Sequence, residues 1–184
     1  MIQFNKGSRT MEFVELLVEN VERVQERFLS VLEGLSLEEV NAFPLVDTVP
    51  SIKSITWLTW HTARELDFQI ADLAKTNPVW FSKGWKKKFA LDLPDDTEDW
   101  HHTPQEAHKV VVTDIDFLKG YLSDAVATTI AYLSKVNEDS LDDVVDENWI
   151  PAVKRGNRLV SIIDDATMHS GQTVYARRLL GRED

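Results

Sequence analysis

At 184 residues, with 43% hydrophobic and 28% charged side chains, the chain is expected to form one soluble domain spanning 1–184 with a sizeable core. Twenty Lys plus Arg against thirty-one Asp plus Glu leave a net charge of -11, which repels phosphate backbones and anionic lipid and so excludes nucleic acid and membranes as expected partners. The absence of cysteine rules out disulfides, thiolate ligands and a cysteine nucleophile together, leaving His and carboxylate as the material for any metal site.

Met1 to Lys6 offer no apolar core of signal-peptide length, and no apolar run approaches the ~18 residues of a membrane span, so a cytoplasmic protein is expected. From Thr10 to Leu32, Val14, Leu17, Val21, Val24, Phe28 and Val31 recur at three-and-four spacing, with Glu12, Glu15, Glu19, Glu22 and Glu26 largely between them. This predicts a first helix with a solvated acidic face. None of those glutamates interrupts the apolar stripe, so the bridging carboxylates of a di-metal oxidase are not offered. Gly34 ends the helix, and Ser36-Leu-Glu-Glu39 reads as a capping box opening a short turn before Pro44 and Pro50 impose an extended link. Ser51 is then the expected cap of a second helix, Ile52 to Lys75, which carries His61.

Thr76 to Thr103 breaks the pattern. Asn77-Pro78, Gly84, Lys86-Lys-Lys88, Pro94 and Asp95-Asp96 have loop composition, yet Trp80, Phe81, Trp85, Phe89 and Trp100 are too many large aromatics for a disordered linker. A crossover packed on a bundle and a wall over a site both fit, and one segment can be both. His101, His102 and His108 are expected to face solvent, with His101 or His102 a candidate fourth ligand if the loop folds over a metal. Thr103-Pro-Gln-Glu106 is a strong helix start, predicting a third helix to about Val136 that buries Val111, Ile115, Leu118, Leu122, Val126, Ile130 and Leu133, with Gly120 where it could bend.

Ser140-Leu-Asp-Asp-Val144 then echoes Ser36-Leu-Glu-Glu-Val40 at an offset of 104 residues, 140 minus 36. Carried on without gaps, that offset puts His61 on Asp165 and Glu65 on His169. Two helix hairpins related by a pseudo-twofold axis are therefore expected, with His61 and Glu65 on one final helix facing Asp165 and His169 on the other. Asp165 and His169 are four apart, on one helix face with Cβ atoms roughly 5–6 Å apart. Leu159, Ile162, Ile163, Met168 and Val174 flank them, and Ile55, Leu58, Leu66 and Phe68 flank His61. A carboxylate and two imidazoles inside such helices are costly unless compensated, and a divalent cation compensates them. Taken singly, His61 reads as a hydrogen-bonded core residue, and Asp165 with His169 as a surface ion pair worth a few tenths of a kcal/mol. Jointly they read as a metal site.

The run Ser51-Ile-Lys-Ser-Ile-Thr-Trp-Leu-Thr-Trp-His61, with Asp165-x-x-x-His169-Ser-Gly-Gln172-x-x-Tyr175-x-Arg177, resembles the DinB-like superfamily of metalloenzymes. The resemblance implies an all-α fold, a left-handed up-down-down-up four-helix bundle with a long crossover, 76–103, between helices two and three. In that family a histidine on the second helix joins a His-x-x-x-His pair on the fourth. His61 and His169 match two of those ligands, and Asp165 stands where the family usually has the first histidine of the pair. Such a set suits Zn or Ni, and also Fe or Mn. Glu65 is the candidate general base. Gln172, one turn beyond His169, would orient a metal-bound water or pack beside Gly171, and Arg177 would hold the carboxylates of a thiol cofactor. Some relatives are thiol S-transferases using bacillithiol, mycothiol or glutathione, and dimers are common. A homodimeric, metal-dependent transferase or hydrolase of a small-molecule substrate is thus implied, with a low-molecular-weight thiol as its candidate second cofactor. The rival is a non-enzymatic, stress-related dimeric bundle in which any metal is a structural staple.

Overall fold

The computed structural model describes residues 11–183, so the expected helix start at Thr10 and the segment Met1 to Lys6 lie outside the described residues. In chain order the helices are α1 (Phe13–Leu32), α2 (Leu37–Asn41), α3 (Ile55–Ala74), α4 (Val79–Ser82), α5 (Trp85–Phe89), α6 (Pro104–Ala107), α7 (Ile115–Leu133) and α8 (Arg155–Leu179). The strands β1 (Val144–Asp146) and β2 (Val153–Lys154) pair antiparallel between α7 and α8. The fold is thus all-α apart from one short ribbon. Helices α1 and α3 each pack against both α7 and α8, and their apolar stripes meet in a core whose largest fully buried side chains include Trp60, Tyr121, Phe28, Leu66 and Ile162. No described helix is long and apolar enough to cross a membrane.

Helix starts follow local hydrogen bonding, with two corrections to the sequence reading. The Ser36 hydroxyl accepts the Glu39 N–H as expected, and Glu39 returns a bond to the Ser36 N–H at 2.8 Å. Helix α3, however, is capped by Ser54, whose hydroxyl accepts the Trp57 N–H at 3.0 Å, and not by Ser51. Two serines three apart offer equivalent caps, and the fully buried Ile55 selects the later one. The single third helix is also wrong. Thr103 opens only the one-turn α6, and the chain leaves helical conformation until Asp114 caps α7 by accepting the Asp116 N–H at 2.9 Å. Between them Val110 and Val112 are buried while Val111, expected inside, is exposed. Four consecutive β-branched residues disfavour a helix there, and the Asn41 side chain replaces the missing helical partners, bonding both the N–H and the C=O of Val112 at 3.1 and 2.9 Å.

The 76–103 crossover docks on the bundle through one buried carboxylate. Asp67 of α3 accepts the N–H groups of Val79 and Trp80 at 2.7 and 2.8 Å, where α4 begins, and the Tyr121 hydroxyl at 3.1 Å. Trp80, Trp85 and Phe89 then cluster round the Tyr121 ring, with centroids 5.0–6.1 Å away. Gly120 of α7 lies under the Trp85 ring. A Cβ there would lie 2.3 Å from the Trp85 ring, so its hydrogen is what lets the crossover approach. Beyond α7, Asn137 and not Ser140 caps the 3₁₀ turn Glu138–Asp142, so the cap at Ser36 is not repeated there.

Candidate metal centre

Because α3 packs on α8, the motif residues of both face one another. His61 and His169 meet edge to face with ring centroids 4.7 Å apart, and Asp165 bridges them, its Oδ1 3.4 Å from His169 Nε2 and its Oδ2 4.0 Å from His61 Nε2. Each of the three residues brings a ligand atom within 4.8 Å of the others. The Trp57 ring stacks on His61 at 4.5 Å and fixes the plane of the imidazole.

Both histidines are set to the same tautomer by their other nitrogen. His61 Nδ1–H donates to Asp99 Oδ2 at 2.8 Å, and His169 Nδ1–H donates to Gln172 Oε1 at 2.8 Å. In the neutral rings Nε2 is then the bare nitrogen facing Asp165, and protonation of His169 puts an N–H there, directed at Asp165 Oδ1. A carboxylate behind a ligating histidine is a recurrent device that orients the ring and raises its basicity. Among the described residues, two buried carboxylate oxygens, Asp165 Oδ2 and Asp99 Oδ1, find no hydrogen-bond partner. Asp165 Oδ2 together with the Nε2 atoms of the two neutral imidazoles is the donor set a divalent cation fits, while Asp99 stands behind His61.

The ionisation of the cluster agrees. Burial pushes the Asp165 carboxyl up, but the hydrogen bond and charge of His169 and the charge of His61 outweigh it and hold the group below its ordinary range. Burial depresses His169, and its bonds to Asp165 and Gln172 more than reverse this. Glu65, one turn along α3 from His61, is pushed up by burial and then by the charge of Asp99, with the His61 charge and a 2.6 Å bond from Gln69 offsetting only part. Glu65, His61 and Asp99 form a second group with ligand atoms within 4.8 Å of one another.

Of the residues singled out in the sequence, the structure brings together His61, Asp165, His169, Glu65 and Gln172. Gln172 bonds to a histidine nitrogen, which makes it the element that orients His169. Arg177 is not brought to the cluster; its Nη1 donates to the carbonyls of Val31 and Glu33 and ties α8 to the end of α1. His101 is exposed and His108 stacks on Phe43 at 3.8 Å. His102, expected in solvent, is buried with both nitrogens engaged: Nδ1 accepts the Trp57 indole N–H at 3.1 Å and Nε2 lies 2.8 Å from the Thr97 hydroxyl. Neither nitrogen is left for a metal. Asp99, only 1% exposed, is the residue sequence reasoning missed. It sits in an acidic loop with Asp95, Asp96 and Glu98, and nothing in its local sequence separates it from those neighbours.

A cleft of about 490 Å³ opens on the cluster, with Glu65 and Asp165 at its floor, Phe68, Leu73 and Trp100 as apolar walls, and Arg158 at one side. Trp100 is 60% exposed, so the crossover is both packing and wall. Arg158 is paired with Asp146 at 2.8 Å and reaches Gln69 at 3.3 Å.

A helical bundle carrying a buried His/Asp/His group that could hold a metal ion beside an open cleft defines a class of candidate metal-binding bundles. The DinB superfamily model matches residues 20–172, and the chain belongs to that superfamily. It is similar to a solved structure described as the crystal structure of the conserved protein of locus from Enterococcus faecalis, with a TM-score of 0.88 and 53% identity over 94% of this chain and 100% of that one. No curated protein matches the chain.

Proposed function

We propose that the protein is a metal-dependent hydrolase of a small molecule, with a divalent ion held by His61, Asp165 and His169. The observation that supports this most is the convergence of two Nε2 atoms with an orphaned carboxylate oxygen, each imidazole held from behind at Nδ1 by an oxygen 2.8 Å away. Bound there, zinc or nickel, or alternatively iron or manganese, would supply Lewis acidity and lower the pKa of water. The chain's own residues do the rest. Asp99 and Gln172 hold the imidazoles in register. Glu65, raised toward neutrality and beside the cluster, takes a proton from the attacking water and passes it to the leaving group. Phe68, Leu73 and Trp100 seat the apolar part of a substrate and exclude bulk water.

The thiol S-transferase branch has less support. Among the described residues the cleft is lined by Glu65, Asp72 and Asp165 with Arg158 as its one cation, already paired, which disfavours a thiol cofactor that carries carboxylates. An open cleft on Asp165 likewise favours chemistry over a closed structural metal. The same reading includes one cytoplasmic domain over 1–184, helices in left-handed up-down-down-up order, and a homodimer.

The test is elemental analysis of purified protein and its His61→Ala and Glu65→Gln variants, with hydrolysis of ester, amide and lactone panels. The reading expects one metal per parent chain, none in His61→Ala, and full metal with at least roughly hundredfold slower hydrolysis in Glu65→Gln. No metal in the parent after reconstitution with zinc, nickel, iron or manganese would end it.

A further inference from the structure

A second cavity, of about 180 Å³, lies between α3 and the crossover, and its lining differs in character from the acidic cleft. Trp60 and Arg64 of α3 line it with Trp80, Lys86, Leu93 and Asp95 of the crossover. Trp60 is 1% exposed, yet among the described residues its indole Nε1–H has no hydrogen-bond partner. Arg64 is buried too, at 5% exposed. Its guanidinium lies 4.0 Å over the Phe68 ring and, among the described residues, makes one hydrogen bond, from Nη2 to the Asp95 carbonyl at 2.7 Å. Its Nε is 3.8 Å from Asp99 Oδ1, too far for a hydrogen bond. A guanidinium has five N–H donors, so several remain unmatched by protein acceptors.

The charges round the cavity are paired. Lys86 Nζ holds Asp95 Oδ2 at 2.6 Å, and Arg64 Nε faces Asp99 Oδ1 at 3.8 Å while Asp99 Oδ2 accepts from His61 at 2.8 Å. The chain has thus gathered unused hydrogen-bond donors round a small space with aliphatic and aromatic walls. Water could satisfy the donors, but the apolar walls leave it few partners in return. An acceptor-only head with an apolar tail matches both halves of the lining. The volume is that of about six waters at roughly 30 Å³ each, which limits the tail to a few carbons.

We propose that this cavity binds a short-chain carboxylate, its oxygens accepting from the Trp60 indole and the Arg64 guanidinium and its aliphatic end resting on Leu93 and Trp80. The site is separate from the metal cluster. Because Arg64 also approaches the carboxylate that orients His61, occupancy of the cavity would be felt at Asp99.

Sodium propionate titrated into the full chain at constant ionic strength tests this, read from the Trp60 indole resonance, which Trp60→Phe assigns among the six tryptophans. Sodium chloride and propylammonium chloride serve as controls, and metal-free and zinc-treated protein are compared. The expected result is a saturable shift of the Trp60 indole with propionate alone, with affinity at least tenfold weaker in Arg64→Gln and abolished in Leu93→Trp, which fills the space without changing charge. If Arg64→Gln does not fold, Lys86→Met at the exposed rim supplies the charge test, with a severalfold loss expected. No saturable shift, an equal shift with chloride or propylammonium, or unchanged binding in Leu93→Trp would overturn the proposal and leave a water-filled cavity. The readout needs no metal, so it stands or falls separately from the hydrolase reading.

Discussion

Asp99→Asn removes one charge from behind His61 while keeping the size and shape of the side chain. In the parent, the buried carboxylate accepts the His61 Nδ1–H at 2.8 Å and leaves Nε2 as the bare nitrogen facing Asp165. The amide has two ways to sit. With its oxygen toward Nδ1 the tautomer survives, but the amide NH₂ then faces the Arg64 guanidinium, whose Nε is 3.8 Å from Oδ1 in the parent, and donor meets donor. Turned round, the NH₂ donates to Nδ1 and forces the proton onto Nε2, where it blocks the metal. Either way the imidazole loses the negative charge behind it. Outer partners of this kind are worth 10–100-fold in metal affinity, which corresponds to about 1.4–2.8 kcal/mol. Competition for zinc against a chromophoric chelator measures the affinity, and long-range nitrogen–proton NMR reads the His61 tautomer. Unchanged zinc affinity together with an unchanged tautomer would refute the argument, since the carboxylate would then have no part in orienting the ligand. His101→Ala, an exposed change nearby, is the control and should leave both untouched.

Three further outcomes follow from the packing and the charges. Gly120→Ala pushes a methyl into the Trp85 ring, which is itself tethered to Asp124 by a 2.8 Å bond, so unfolding in urea should show a loss of about 1–3 kcal/mol. Asp67→Ala strands the N–H groups of Val79 and Trp80 and the Tyr121 hydroxyl, and should cost at least about 2 kcal/mol while raising hydrogen exchange at the start of the crossover. In metal-free protein the His169 contribution is complete below its ordinary 6.5 and is lost as pH rises through its raised pKa; that of Asp165 is present above 3.8 and is lost as pH falls through its lowered pKa. The pair therefore favours the apo fold most between those limits, and zinc affinity should strengthen as pH rises past the His169 titration, when the proton no longer competes. Thermal melts of the apo protein across pH, with zinc titrations alongside, check the sign; apo stability that climbs through the His169 titration would contradict it.

The long helices were legible because their apolar residues recur at helical spacing and their ends carry explicit signals, as at Ser36 and Gly34. The sequence also placed His61, Asp165 and His169 in one site, since a four-residue spacing fixes a helix face and a resemblance supplied the third member. The misreadings were local. The run Val110-Val-Val-Thr113 ahead of Asp114 carried a break signal that the apolar periodicity overrode, and the two serines before Ile55 gave no reason to prefer one. Gly120 read as a weakness in a helix because its partner, Trp85, is thirty-five residues away (120 minus 85).

What the sequence determined alone was therefore the elements and the ligand types, which depend on neighbours along the chain within a turn or two. What only the tertiary structure decided was the protonation and aim of those ligands. Asp99 orients His61 across 38 residues of chain, and the lack of any partner for Asp165 Oδ2 becomes apparent only when α3 and α8 are side by side. Hydrogen-bond direction and desolvation are properties of space, and an acidic loop spells a buried carboxylate and a solvated one with the same letters.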